Sequence, residues 1–465
     1  MIETQEVQGL VLASYAAQRF ATYLFLTARD EADVSGWIAS IRDRITFAGK
    51  YERERPTSIN IAITYKGFAR LGLGAETLST FPVEFVEDMS DPGRAQMLGD
   101  DPDTWLWGKP DHRIHVLLML FARDANVLAE LLAAERHAFQ GVFDEVLAIE
   151  SQTFPFKPGS RFNHEHFGFV DGLSQPDIKD YRPEKHGANG PGNDISAGEF
   201  ILGYPNEYFR QITASPHLRA PDSDPAGILA GGDMGRNGSY FVVRQMEQNV
   251  AGFWGMIREQ CAHPDGTPDE AAEEAFAAKI VGRWRDGTPV AISPDHDGED
   301  PSQLNNFGFG RDRNGNGCPF GAHIRRANPR ETLLADEKDS IITTRRHRML
   351  RRGRPYGQPI ADRFSDDGQS RGLVFAAVNA NIERQFEFIQ QAWISSPNFA
   401  GLYDEADPML GGRTQTAGRF TIPNCPVRVS RSGIVPHVTV KGGAYFFLPS
   451  LAALRYLSSL PMKVK

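Results

Sequence analysis

Two stretches of the sequence carry residues whose types and spacing could do chemistry. In Cys318-Pro319-Phe320-Gly321-Ala322-His323-Ile324-Arg325-Arg326-Ala327-Asn328-Pro329-Arg330, an imidazole follows small residues and is flanked by guanidinium groups. Such a histidine can ligate a metal while the arginines hold anionic groups; it can equally be a hydrogen-bonded core histidine beside a solvated pair. Further on, residues 345–354 place six arginines in ten positions of a chain whose net charge is −9. Like charges at that density repel unless an anion sits among them, be it a phosphate, a nucleic-acid backbone or a carboxylate-bearing cofactor. A solvated face with a few acidic partners is the plainer reading. The other stretch is Asn163-His164-Glu165-His166-Phe167-Gly168-Phe169-Val170-Asp171-Gly172. His164 and His166 point to one side of an extended segment and could bind zinc with Glu165 as a third ligand. Gly168 and Gly172 would let the backbone approach a flat ligand and present the Asp171 carboxylate, or simply form an Asp-Gly turn. Asp312-Arg313-Asn314-Gly315-Asn316-Gly317 opens like a calcium loop, but its twelfth position is His323 where a bidentate Glu is required, so calcium is rejected.

The elements that position these residues belong to a chain of 465 residues, 41% hydrophobic and 23% charged, a balance that folds. Its acidic charge argues against nucleic-acid and anionic-membrane partners. The apolar run Val116 to Ala122 is far short of the roughly 20 residues that span a bilayer. The first six residues hold Glu3 and Glu6 and no cation, unlike a signal peptide, so a cytoplasmic location is expected. Cys261, Cys318 and Cys425 are few, odd in number and widely spaced, which suits reduced thiols.

Hydrophobic patterning predicts strand 20–28, helix 31–44, strands 58–64 and 113–121, helix 125–139 and strand 142–150, the βαββαβ order of a ferredoxin-like unit. A Gly/Pro/Asn/Asp-rich connection follows from 155 to 235, including Gly187 to Asp194. A second cycle reads as strand 239–244, helix 269–281, strand 372–378, helix 382–393 and strand 438–447, with a large insertion at about 285–370. The expectation is an α+β protein of two halves. Residues 1–235 form the first with the connection, and 236–465 the second with the insertion.

Taken in order, these segments resemble the dye-decolorizing peroxidase family of haem enzymes. The matching pieces are Gly168 to Gly172, Cys318 to Arg330, Arg351-Arg352-Gly353-Arg354-Pro355-Tyr356-Gly357, Gly238 to Arg244, Asp407-Pro408-Met409-Leu410-Gly411 and Gly442 to Pro449, together with Gln8-Gly9 and Phe81-Pro82 to Met89. The resemblance implies two ferredoxin-like halves closing a dimeric α+β barrel within one chain. It implies one haem b per chain, with His323 as the iron ligand and Gly168, Gly172, Arg325 and Arg326 as further cofactor-binding positions. Asp171 matches the distal acid and Arg351 the distal arginine, with Arg348, Arg352 and Arg354 close in sequence. Some relatives have an acid on the proximal histidine, where Asn379 or Asn381 is expected here. The implied substrates are hydrogen peroxide and organic reductants, including dyes oxidised at the surface through Tyr356 or Trp393. A carboxylate can take the peroxide proton and a guanidinium can stabilise the charge that develops on the leaving oxygen. An ordinary carboxylate is deprotonated above about pH 4 and an imidazole only above about 6.5, so such an enzyme works into acid. The competing readings are a haem-binding or iron-releasing protein, which would need His323 alone, and a zinc hydrolase built on His164, Glu165 and His166.

Overall fold

The computed structural model describes residues 1–465 apart from 51–53, 110–112, 156, 158, 159, 161, 180, 182–189, 191, 299–303, 412–417, 425 and 462–465. Cys425 and, of the 187–194 run, residues 187–189 and 191 lie outside the described residues. The first half consists of β1 (Phe20–Ala28), α1 (Val34–Ile41), β2 (Thr57–Ile63), β3 (Val116–Ala122), α2 (Ala125–Ala138) and β4 (Phe143–Gln152). Both helices start where an aspartate caps them: Asp33 accepts from Gly36 N at 2.8 Å and Asp124 from Asn126 N at 2.8 Å. The strands pair antiparallel in the order β4-β1-β3-β2.

The second half contains β5 (Ser239–Gln248), α3 (Val250–Cys261), α4 (Glu270–Val281), α5 (His323–Ala327), β6 (Leu350–Arg351), β7 (Arg354–Tyr356), β8 (Gly372–Asn379), β9 (Val438–Leu448) and α6 (Leu451–Ser458). Helix α3, capped by Asn249, was not anticipated from the pattern. Residues Glu383–Glu387 and Ile389–Ile394 wind as π-helix rather than the regular helix expected. The arginine-rich segment supplies the strand missing from the second cycle. Arg351 faces Ala377 and Arg354 faces Val374 on β8, so β6 and β7 keep one register across Arg352-Gly353. The order β9-β5-β8-β6/β7 then repeats that of the first half. Contacts of Phe447 with Ile63 and of Tyr356 with Ser151 join the halves at both edges and close the barrel.

Strand alternation sorts the apolar residues into two clusters. Tyr23, Phe25, Leu117, Met119, Phe241 and Phe446 belong to one, filling the barrel. Leu24, Leu118, Val242 and Phe447 belong to the other with Trp37, Ile38 and Leu454 of the helices, at about 1.5–3 kcal/mol for each large side chain fully buried. All of β3 is buried, as a strand covered on both faces requires.

Candidate haem site

The arginine segment is placed by the same alternation. Arg352 and Arg354 point to the barrel side and are held by backbone carbonyls: Arg352 by Leu10 and Val11, at 2.6 and 2.7 Å, and Arg354 by Ser14, Tyr15 and Gln18. Arg351, between them and Leu350, points the other way, into a cavity of about 420 Å³, a size typical of cofactor sites. Its walls come from α5, β6 to β7, β8, the π-helix and the loop after Phe169.

His323 opens α5 and faces this cavity. Its Nδ1 lies 2.9 Å from Asp407 Oδ2, and the other Asp407 oxygen accepts from Met409 N and Leu410 N at 2.8 and 2.9 Å. Burial alone would raise the Asp407 carboxyl, but the neighbouring His323 ring, its hydrogen bond and Arg326 hold it below the ordinary carboxylate value. An ionised acceptor fixes the proton on Nδ1, which donates, and leaves Nε2 as the lone-pair nitrogen for a metal. This corrects the expectation at Asn379 or Asn381. Asn379 Nδ2 donates to Ala377 O and Asn381 Oδ1 accepts from Arg384 N, so neither partners His323. The partner is an acid within the Asp407 to Gly411 motif, 84 residues away in sequence.

Arg325 and Arg326 do not line the cavity. Their guanidiniums are taken up by other partners. Arg325 binds Asp312 and Cys318 O, and Arg326 binds the carbonyls of Trp393, Ser396 and Glu405. The calcium-like segment is thereby explained, since Asp312 also accepts from Gly317 N and Cys318 N and serves as a loop anchor. A different cation lines the cavity. Arg348 lies in the cavity wall, and none of the described residues accepts a hydrogen bond from its guanidinium. Burial pushes it down to about 9, with Arg330 and Arg351 adding to the effect. A buried cation without an acceptor is costly, and a ligand carboxylate would relieve it.

Across the cavity, Asp171 Oδ1 accepts from Gly172 N at 2.6 Å and lies 3.6 Å from Arg351 Nη1, the two side chains being 36% and 39% exposed. Gln175 Oε1 accepts from Arg351 N at 3.0 Å, tying β6 to the loop. Gly168 and Gly172 have φ of +97° and +81°, so the backbone demands glycine at both. Gly172 lines the cavity; Gly168 instead faces Arg285.

The zinc arrangement is not formed. His166 Nε2 is engaged by Tyr356 O at 2.8 Å and Glu165 accepts from Phe167 N and Phe169 N, both at 2.9 Å. No group of three or more metal-ligating side chains exists among the described residues. Tyr356 and Trp393 are both buried, which prevents contact with a bulky donor.

No protein-family model matches the chain. It is 30% identical to the multifunctional dye peroxidase DyP2 of an Amycolatopsis species over 97% of this chain and 95% of that one. It is 29% identical to the dye-decolorizing peroxidase msp1 of Mycetinis scorodonius, over 87% and 77%. A solved DyP-type peroxidase from an Anabaena species superposes with a TM-score of 0.80 at 25% identity, covering 98% of this chain and 94% of that one. The barrel of two ferredoxin-like halves, the histidine–aspartate pair facing an acid and an arginine across one cavity, and this full-length similarity agree: the chain belongs to the dye-decolorizing peroxidases, a family of haem peroxidases.

Proposed function

We propose that the cavity holds one haem b, to which His323 Nε2 would supply the protein's iron ligand, and that Asp171 and Arg351, lining the same cavity, process hydrogen peroxide. The observation that carries this reading is the convergence of His323, Asp171, Arg351 and Arg348 on one cavity. The residues fit the group: His323 offers a neutral nitrogen held by Asp407, Arg348 offers a cation for a propionate, and Phe375, Phe386 and Ile389 offer apolar wall. Bound haem supplies the redox chemistry, giving two electrons to peroxide and recovering them one at a time from organic donors such as dyes. The protein supplies the rest. Asp171 accepts the proton of the peroxide oxygen that approaches and returns it to the oxygen that leaves, so that peroxide, two electrons and two protons become two waters. Arg351 offers its guanidinium to stabilise the negative charge on the departing oxygen.

A haem-releasing role would need His323 without the acid and arginine opposite; their presence in the same cavity supports turnover. The free thiols Cys261 and Cys318 support a cytoplasmic location, and the net charge of −9 supports the absence of a nucleic-acid partner. No helix among the described residues is long and apolar enough to cross a membrane. The test is the absorption spectrum of the purified protein before and after peroxide: a haem band that changes with peroxide and returns with donor is expected, and a colourless protein would refute the reading.

A further inference from the structure

We propose that Glu165 is a positioning residue for Asp171, its carboxylate folding the turn on which the distal acid stands. This rests on Asp171 acting on peroxide. Glu165 Oε2 accepts from Phe167 N at 2.9 Å and Oε1 from Phe169 N at 2.9 Å, so one side chain gathers the two amides that precede Val170-Asp171. Gln248 Nε2, at the end of β5, donates a short third hydrogen bond to Oε2 and ties the turn to the barrel. Trp254 Nε1 donates to Phe167 O at 3.1 Å from behind, and Val170 N to Arg285 O at 2.9 Å. Three donors meet one carboxylate that lines the same cavity as Asp171.

That arrangement depends on charge. Three N–H groups are all accepted by the ionised form, whereas a protonated carboxyl gives up acceptor capacity at its hydroxyl oxygen. Burial pushes the Glu165 carboxyl up to about 7; the bonds from Gln248, Phe167 and Phe169 oppose this and the charge of Asp171 adds to it. The other charged or titratable groups at this turn are Arg351 on Asp171, Arg285 beside Gly168, His164, whose Nδ1 faces Glu165 O, and His166, which burial lowers to about 4. The turn is therefore held fully above about pH 7 and slackens below it. Because this acid binds its proton more tightly folded than unfolded, it contributes stability that is complete below its ordinary value near 4.5 and is lost as pH rises to about 7. Glu165 thus works against stability at the pH where it holds the turn best, which a purely structural residue would not do.

The experiment uses haem-loaded protein and compares the parent with Glu165→Gln, Gln248→Leu and Asp171→Asn. Glu165→Gln puts an amide donor against Phe169 N, and the rate of reaction with peroxide is expected to fall roughly 10-fold or more, as for a small misplacement of a reacting group. The parental rate should show a step near pH 7 that this variant lacks, and the melting temperature of the variant relative to the parent should rise between pH 5 and 8. Gln248→Leu, which leaves the turn's own amides alone, should give a smaller loss with the step retained. A parental rate in Glu165→Gln, or an unchanged step near pH 7, overturns the proposal while Asp171→Asn remains slow. A parental rate in Asp171→Asn overturns the underlying assignment of Asp171 instead.

Discussion

The two halves share one strand order and use it differently. In the first, the second strand is Thr57-Ser58-Ile59-Asn60-Ile61-Ala62-Ile63, and the regular helix α2 joins α1 in covering the sheet with apolar side chains. In the second, the equivalent strand is Leu350 to Tyr356 with three arginines, and the equivalent helix is wound as π-helix, a winding that recurs at functional sites. Where the first sheet closes its core, the second half lends Arg348, Arg351 and His323 to a cavity whose remaining wall includes Asp171 to Gln175 of the connection. The two sheets thus differ in what they support, and each prediction that follows tests that difference.

The largest effect is expected at His323. His323→Ala should fold and yet retain little haem, read as the ratio of haem absorbance to protein, while His164→Ala, His166→Ala and His347→Ala retain it. Retention of the parental axial-ligand spectrum in His323→Ala would dissolve the distinction between the halves. Next comes the charge opposite. Arg351→Leu should slow the reaction with peroxide by roughly 100-fold or more, the scale of losing one charge-stabilising donor. Arg348→Leu should instead weaken haem retention with a smaller change in that rate, since none of the described residues accepts a hydrogen bond from its guanidinium, which lines the cavity. If the two variants exchange phenotypes, the roles of the two guanidiniums are reversed.

A smaller effect, about 10-fold or more on haem retention, is expected for Asp407→Asn. The amide is a weaker acceptor for the His323 Nδ1 proton, so the ring gives less electron density to the iron and the reduction potential should rise. A potential equal to the parent's would mean that the 2.9 Å contact orients the ring without tuning it.

The first half was readable because its signals are local. The apolar run of β1 and the Asp caps of α1 and α2 are settled within a few residues. The second half hid a strand, since arginines at its core-facing positions are satisfied by carbonyls of residues 10–18, more than 330 positions away. The motifs singled out His323, Asp171 and Arg351, and the fold brings all three to one cavity. Asp407 could not be singled out, although its Asp-Pro turn was in view, because only the fold brings it to His323. Arg325 and Arg326 stand beside His323 in sequence, yet their guanidiniums are taken up by Asp312 and by backbone carbonyls outside the cavity, partners that sequence adjacency does not reveal.

The finest test asks whether the halves are energetically separate. Ile38 in α1 is fully buried, and no residue of α1 lines the cavity. Ile38→Ala should cost about 2–5 kcal/mol by urea unfolding, with its effect equal within about 0.5 kcal/mol in the haem-loaded and haem-free proteins, because sites without shared partners add. Phe386, in the π-helix, packs on the same outer core and also lines the cavity. Stripped of haem its ring has fewer partners to lose, so Phe386→Ala should cost more in the loaded protein than in the free one. Urea unfolding of the parent and both variants, each with and without haem, yields the two differences directly. If Ile38→Ala were as sensitive to haem as Phe386→Ala, the first half could not be the independent support that its closed core suggests, and the single sheet joining the halves would have to transmit the strain of the occupied site.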